Sequence, residues 1–178
     1  RESVEKQTFK DWELIFTYDG KMAENTNSAM RKAKGDIIKI LYLDDYLSSE
    51  NALQHIASAF EENPEQVWLA SGCVHDNGEE RYLNPHVPYW NSDMKRGVNT
   101  IGSPSVVAIR NGLEMYFDET LSWVLDCDLY HRLYVKYGLP ILVNDLDVGI
   151  GIGDHQTTNI MSDEAKEKEH DYLNRKYI

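Results

Sequence analysis

Ile37-Ile38-Lys39-Ile40-Leu41-Tyr42-Leu43 is an almost unbroken apolar run that stops abruptly at two adjacent carboxylates, Asp44-Asp45. A strand that is apolar on both faces is covered on both faces, and the usual cover is a layer of helices on each side of a parallel sheet. The flanking sequence agrees. Residues 25–34 carry Ala29, Met30 and Ala33 at helical spacing, with Gly35 as a stop. Before them, Trp12-Glu13-Leu14-Ile15-Phe16-Thr17-Tyr18 is short, aromatic and β-branched, and ends at the turn signal Asp19-Gly20. The order β-α-β predicts an α/β domain, a mixed, mostly parallel sheet flanked by helices.

The remaining sequence extends this pattern. Ser48-Ser49-Glu50 reads as a helix cap, and Leu53, Ile56, Ala57 and Phe60 recur at helical spacing until Asn63-Pro64. Residues 67–73 predict a strand, and Asn77-Gly78 a hairpin turn into Arg81-Tyr82-Leu83. Residues 84–105 hold three of the five prolines and have the irregularity of a functional loop, with Tyr89, Trp90 and Met94 as candidate contacts. A strand over 106–110, a helix over 126–138 closed by Gly138, a last strand over 141–148 and a charged helix after Ser162 complete one domain over 1–178.

Charge narrows the function classes. Eighteen Lys plus Arg stand against 30 Asp plus Glu, a net charge of −12, which excludes a broad basic face for nucleic acid. A small phosphorylated ligand stays open if a metal brings the positive charge. Cys73 and Cys127 are too few for a disulfide framework and lack zinc spacing, so a reducing, cytoplasmic setting is expected. No stretch approaches the roughly 18 apolar residues of a membrane span.

Three constellations carry chemistry. Asp44-Asp45, at the C-terminal end of a buried strand, falls at the rim where open α/β sheets bind ligands, and carboxylate oxygens suit Mg2+ or Mn2+. The alternative is a solvated turn or cap, a role Ser48 and Ser49 already fill. Asp126 and Asp128 open a helix, where the dipole and free N–H groups stabilise carboxylates; one serves as cap and leaves the other free as a general base. His155, in a polar run, stands evenly between a loop residue and a ligand for metal or phosphate. Gly149-Ile150-Gly151-Ile152-Gly153 has G-x-G-x-G spacing and is no dinucleotide fingerprint. Ser103 and Ser105 lack the G-x-S-x-G elbow of an acyl-transfer nucleophile.

Taken in order, these pieces resemble the family 2 glycosyltransferases of GT-A fold. Ser3-Val4 to Gln7-Thr8-Phe9 with Trp12-Glu13-Leu14-Ile15 looks like that family's "S-v-x-x-Q-t-y-x-x-w-E-l-i" run. Ala33-Lys34-Gly35-Asp36 through Leu43-Asp44-Asp45 is similar to "A-x-G-x-y-i-x-f-l-x-x-D-D". Asn99-Thr100-Ile101-Gly102-Ser103-Pro104-Ser105 looks like "N-x-i-G-x-P-s", and Phe117-Asp118-Glu119 with Trp123, Asp126, Asp128 and Arg132 resembles the segment that carries the base. The resemblance implies a metal-dependent inverting transferase that moves one sugar from a UDP-, GDP- or TDP-sugar to a glycan or lipid-linked hydroxyl. Asp126 would be the base; Asp44, Asp45 and His155 would hold the metal, Mn2+ or Mg2+; Asp19, Asp44, Gly102 and Ser103 would contact the donor; and Trp90, Trp123 and Asp128 would meet the acceptor. It also implies that the family's first strand, expected before Ser3, lies outside these residues. That motivates the alternative of a non-catalytic, truncated GT-A domain used for binding or scaffolding. The processive Q-x-x-R-W signature is missing, and peripheral membrane association is compatible with a lipid-linked acceptor.

Overall fold

The computed structural model describes residues 1–18 and 20–178. Along the chain run α1 (Glu2–Glu5), α2 (Met22–Lys32), β1 (Ile37–Lys39), β2 (Tyr46–Leu47), α3 (Ala52–Glu62), β3 (Trp68–Asp76), β4 (Leu83–His86), β5 (Val107–Arg110), α4 (Leu125–Tyr137), β6 (Ile141–Gly151), α5 (Thr157–Ile160) and α6 (Asp163–Tyr177), with 3-10 turns at Ser92–Arg96 and Pro104–Val106.

Six strands form one sheet in the order β1-β5-β3-β6-β2, with β4 also beside β3. Side-chain alternation on its central strands divides the core between two helical layers. Leu69 of β3 and Ala108 of β5 pack with Ile56 and Phe60 of α3. Their neighbours Trp68, Ala70, Val107 and Ile109 belong to the cluster that includes Leu129, Tyr130 and Leu133 of α4. Side chains such as Trp68, Leu129 and Leu133 are fully buried, each worth ~1.5–3 kcal/mol or more relative to exposure. The expected mixed sheet flanked by helices is therefore present.

Its pairing departs from the expectation of a mostly parallel sheet. Among the described residues only β3 and β6 run parallel; the β1/β5, β2/β6, β3/β4 and β3/β5 ladders are antiparallel. A parallel pair requires a long crossover, and the chain between β3 and β6, containing α4, provides it. The apolar run at 37–43 is likewise not a central strand: only Ile37–Lys39 is regular, and it lies at the sheet's edge. Residues 12–18, expected to be a strand, join no ladder. The helix after Asp44-Asp45 is capped at Asn51 rather than by Ser48 or Ser49; Ser48 Oγ donates to the Leu146 carbonyl, and Ser49 Oγ accepts from the Asn51 N–H. The hairpin at Asn77-Gly78, the Gly138 terminus of α4 and the Ser162 cap of α6 stand as expected. Cys73 and Cys127 are buried and unpaired, and among the described residues no helix is long and apolar enough to cross a membrane.

Candidate active site

The glycines at the end of β6 create the site's first half. Gly149 pairs with Tyr46, and a Cβ on Gly149 would lie 2.2 Å from the Tyr46 ring; one on Gly151 would lie 2.6 Å from the Asp44 carbonyl oxygen. Only glycine lets the Asp44–Tyr46 backbone and ring lie this close to the strand. The Gly151 N–H then donates to Asp45 Oδ1 at 2.9 Å, which turns Asp45 inward. Asp44 is left exposed beside the turn that follows β6, where His155 Nε2 meets its Oδ2 at 3.0 Å. Two residues 111 positions apart thus become one pair.

Asp45, beside Asp44 in the same cleft, is engaged by the backbone instead. Burial pushes its carboxyl up to about 6, against hydrogen bonds from Ser105 and Gly151, with the Asp44 charge adding to the rise and Lys39 opposing it. Lys39, pushed down to about 7 by burial, donates to the Ser105 carbonyl. Ser105 Oγ in turn accepts from the Tyr42 N–H at 2.9 Å. Asp45 anchors the floor of the site while Asp44 presents its rim. Among the described residues no three His, Cys, Asp or Glu side chains converge as a metal cage; of the three expected ligands, Asp44 and His155 meet directly and Asp45 lies beside them. One carboxylate and one imidazole fit a divalent cation whose other positions come from phosphate oxygens and water.

The second half is the start of α4. Asp126 Oδ1 accepts from the Cys127 N–H and Oδ2 from Asn99 Nδ2, both at 2.7 Å. Burial pushes its carboxyl up to about 6 despite these donors, a value suited to a base near neutral pH. Asn99 Oδ1 also accepts from the Ile101 and Gly102 N–H groups, so one side chain shapes the loop and orients the carboxylate. The turn before α4 is held by Glu169 of α6, which accepts from the N–H groups of Ser122, Trp123 and Val124 at 2.8, 2.8 and 3.1 Å.

A cleft of about 1540 Å³ is lined by Asp44, His155, Asp126, Asn99, Ser103 and Trp123, among others. The sequence-based set is thus brought together only in part. Asp128 is removed from the acceptor role: it is fully buried, bonded to Arg132 Nε and Lys176 Nζ at 2.8 Å each and to Tyr177 OH at 2.5 Å. Trp90 is not among the lining residues; its ring stacks on Tyr134 at 4.2 Å. Gly102 is a turn residue at φ +116°, with its carbonyl taken by Tyr130 OH and Asn99. Asp19 lies outside the described residues. Asn99 and Glu169 brace the site, and the sequence reading gave neither a site role. The N-x-x-G spacing of Asn99 and Gly102 is an Asx-turn signal that could have pointed to the first; a Glu within a charged helix offers no such sign.

No family model and no curated protein sequence matches the chain. Its mixed α/β fold is similar to that of S. aureus TarS. It superposes on TarS 1-349 in complex with UDP-GlcNAc with a TM-score of 0.59 at 18% identity, covering 83% of this chain and 44% of that one. For the UDP complex the TM-score is 0.54 at 18% identity, over 75% and 41%, and for the longer TarS structure 0.55 at 17%, over 89% and 30%. The chain therefore spans less than half the length of these structures.

Proposed function

We propose that this chain is the donor-binding and catalytic part of a nucleotide-sugar-dependent glycosyltransferase of the GT-A, family 2 type, working by inversion on a single sugar. The observation that carries this reading is the pairing of Asp44 with His155 in the same cleft as Asp126, on a fold shared with a protein crystallised with UDP and UDP-GlcNAc. Asp44 and His155 would hold Mn2+ or Mg2+, which supplies charge neutralisation on the donor diphosphate and lets a protein of net charge −12 accept an anion.

The chain's own residues perform the rest. Asp126 takes the proton from the acceptor hydroxyl; the acceptor oxygen bonds to the anomeric carbon from the face opposite the leaving group; and the bond from that carbon to the diphosphate oxygen breaks, releasing the nucleoside diphosphate. Asn99, donating to Oδ2, aims the carboxylate. Trp123, whose Nε1 donates to Thr158 Oγ1 at 3.2 Å, offers an aromatic face in the cleft for a sugar ring. Isothermal titration with UDP, GDP and TDP, each with and without Mn2+, tests the reading: metal-dependent binding of one of them is expected, and failure of all three overturns it. The second reading, a domain that binds without transferring, rests on the unpaired segment at 12–18. Transfer or donor hydrolysis above background excludes it.

A further inference from the structure

Glu169 and His170 are neighbours on α6, and each holds a different loop lining the cleft. The Glu169 carboxylate accepts three successive backbone N–H groups, Ser122 on Oε1 and Trp123 and Val124 on Oε2. Among the described residues no backbone carbonyl takes any of the three. α4 needs such a partner, because its N-cap, Val124, has no side chain able to cap the helix. Bonds from N–H groups to a carboxylate are charge-assisted, roughly twice as strong as neutral ones, and a negative charge is favourable at a helix N-terminus. The Val124 carbonyl then accepts from the Asp128 N–H and starts the helix, with Asp126 two residues on.

His170 holds the other loop. Its Nδ1 donates to the Arg96 carbonyl at 2.9 Å, and a Cβ on Gly97 would lie 2.6 Å from the His170 ring and 3.3 Å from Val124 Cγ1. Gly97, at φ +87°, therefore lets both loops and α6 meet at one point. Two residues on is Asn99, which donates to Asp126 Oδ2. The His170 ring also meets Trp123 edge-on, with centroids 5.0 Å apart. The rest of α6 is fixed independently: Leu173 is fully buried, and Tyr172 OH and Lys176 Nζ bond Asp118. Among the described residues neither Glu169 nor His170 bonds to Asp44, Asp45 or His155.

We infer that Glu169 and His170 are positioning residues for the transfer: from one turn of α6 they set Asp126, its partner Asn99 and Trp123 on the acceptor side of the cleft and leave the donor side alone. The inference rests on the role given to Asp126 above. A base must sit within hydrogen-bond reach of the acceptor hydroxyl, and a displacement of about 1 Å costs on the order of 10²-fold in rate. Glu169 reaches the 122–124 turn from 45 or more residues away in sequence, so the placement of Asp126 is set by α6 and not by its own segment.

The test compares Glu169→Gln and His170→Phe with the control Glu167→Gln in the full chain. The first puts an NH2 group against backbone donors; the second keeps a ring against Gly97 and Trp123 but removes the bond to Arg96. The control deletes the same charge from an exposed position on the same helix. Amide hydrogen exchange reads the free protein. With Glu169→Gln, exchange should quicken by about tenfold or more at Cys127, whose N–H sits on Asp126 Oδ1, and with His170→Phe at Ile101 and Gly102, whose N–H groups sit on Asn99 Oδ1. The control should change none of them. Faster exchange confined to 122–124 or to 97–98, an equal rise throughout the fold including β3, or the same effect from the control overturns the inference. In transfer assays, kcat should fall by about tenfold or more in both variants, with affinity for UDP and Mn2+ unchanged; an undiminished kcat, or a loss of UDP affinity matching the loss of rate, overturns it as well. The exchange measurement needs no nucleotide, metal or acceptor, so a failure of the brace is told apart from a failure of UDP, GDP and TDP to bind.

Discussion

Replacing Asp128 with Ala separates a structural carboxylate from a catalytic one. Asp128 is fully buried and receives Arg132, Lys176 and Tyr177; removing one partner of a buried ion pair costs about 3–5 kcal/mol. Two facts place the value at the low end. Lys176 retains Asp118 at 2.9 Å, and Arg132 retains the Tyr116 carbonyl at 2.6 Å, so neither cation is stranded. A loss of about 3 kcal/mol follows, which for a domain of this size lowers Tm by about 6–12 °C. Urea unfolding and calorimetry read this directly, and Mn2+-dependent UDP binding by the folded variant should be unchanged at 10 °C. The pH dependence has a defined sign. Burial works against the Asp118 charge, but hydrogen bonds from Thr120, Tyr172 and Lys176 outweigh it and hold its carboxyl well below the usual range. This contribution is present above about pH 4 and lost as pH falls further. Burial likewise opposes the Lys176 charge, yet Asp128 and Asp118 raise its pKa overall, so that contribution holds below about pH 10 and fades as pH rises. The wild-type cluster should therefore stabilise the fold evenly from about pH 5 to 10. A variant with unchanged Tm and lost transfer would refute the structural assignment and return Asp128 to the acceptor site.

Asp126→Asn should reduce transfer by about 10²–10⁴-fold with nucleotide binding intact, measured by product release and titration; undiminished turnover removes the base. In the wild type, the rate should fall as pH drops through about 6, because burial raises Asp126 and the base must be ionised; an acid limb near 4 contradicts this. Asn99→Ala removes a donor that lowers the Asp126 pKa, so its acid limb should move to higher pH, and an unmoved profile argues that Asn99 acts on the loop alone. Gly151→Ala places a Cβ 2.6 Å from the Asp44 carbonyl oxygen; a loss of about 1–3 kcal/mol and weakened metal-dependent UDP binding are expected, and wild-type values for both sink the close-approach argument.

What the sequence made legible depends on the range of the forces involved. Helices α3 and α4, the Asn77-Gly78 hairpin and the Ser162 cap are encoded within a few residues by periodicity, turn chemistry and capping, and they were readable for that reason. Asp44 was readable as a rim residue because an apolar run ends before it; that His155 would reach it was not, because the pair depends on Gly149 and Gly151 admitting the 44–46 segment against β6. Asp128 misled for the same reason: its partners Lys176 and Tyr177 arrive from a helix 48 and 49 residues away. The strand expected at 12–18 is the most informative failure. Its composition is that of a strand, yet a strand exists only when paired, and pairing is a property of two segments. A residue run can therefore carry the right local preference and remain outside the sheet. The same dependence explains why β1, apolar enough for the centre of a sheet, stands at its edge: position in the sheet follows from which segments pair, and among the described residues β1 pairs with β5 alone.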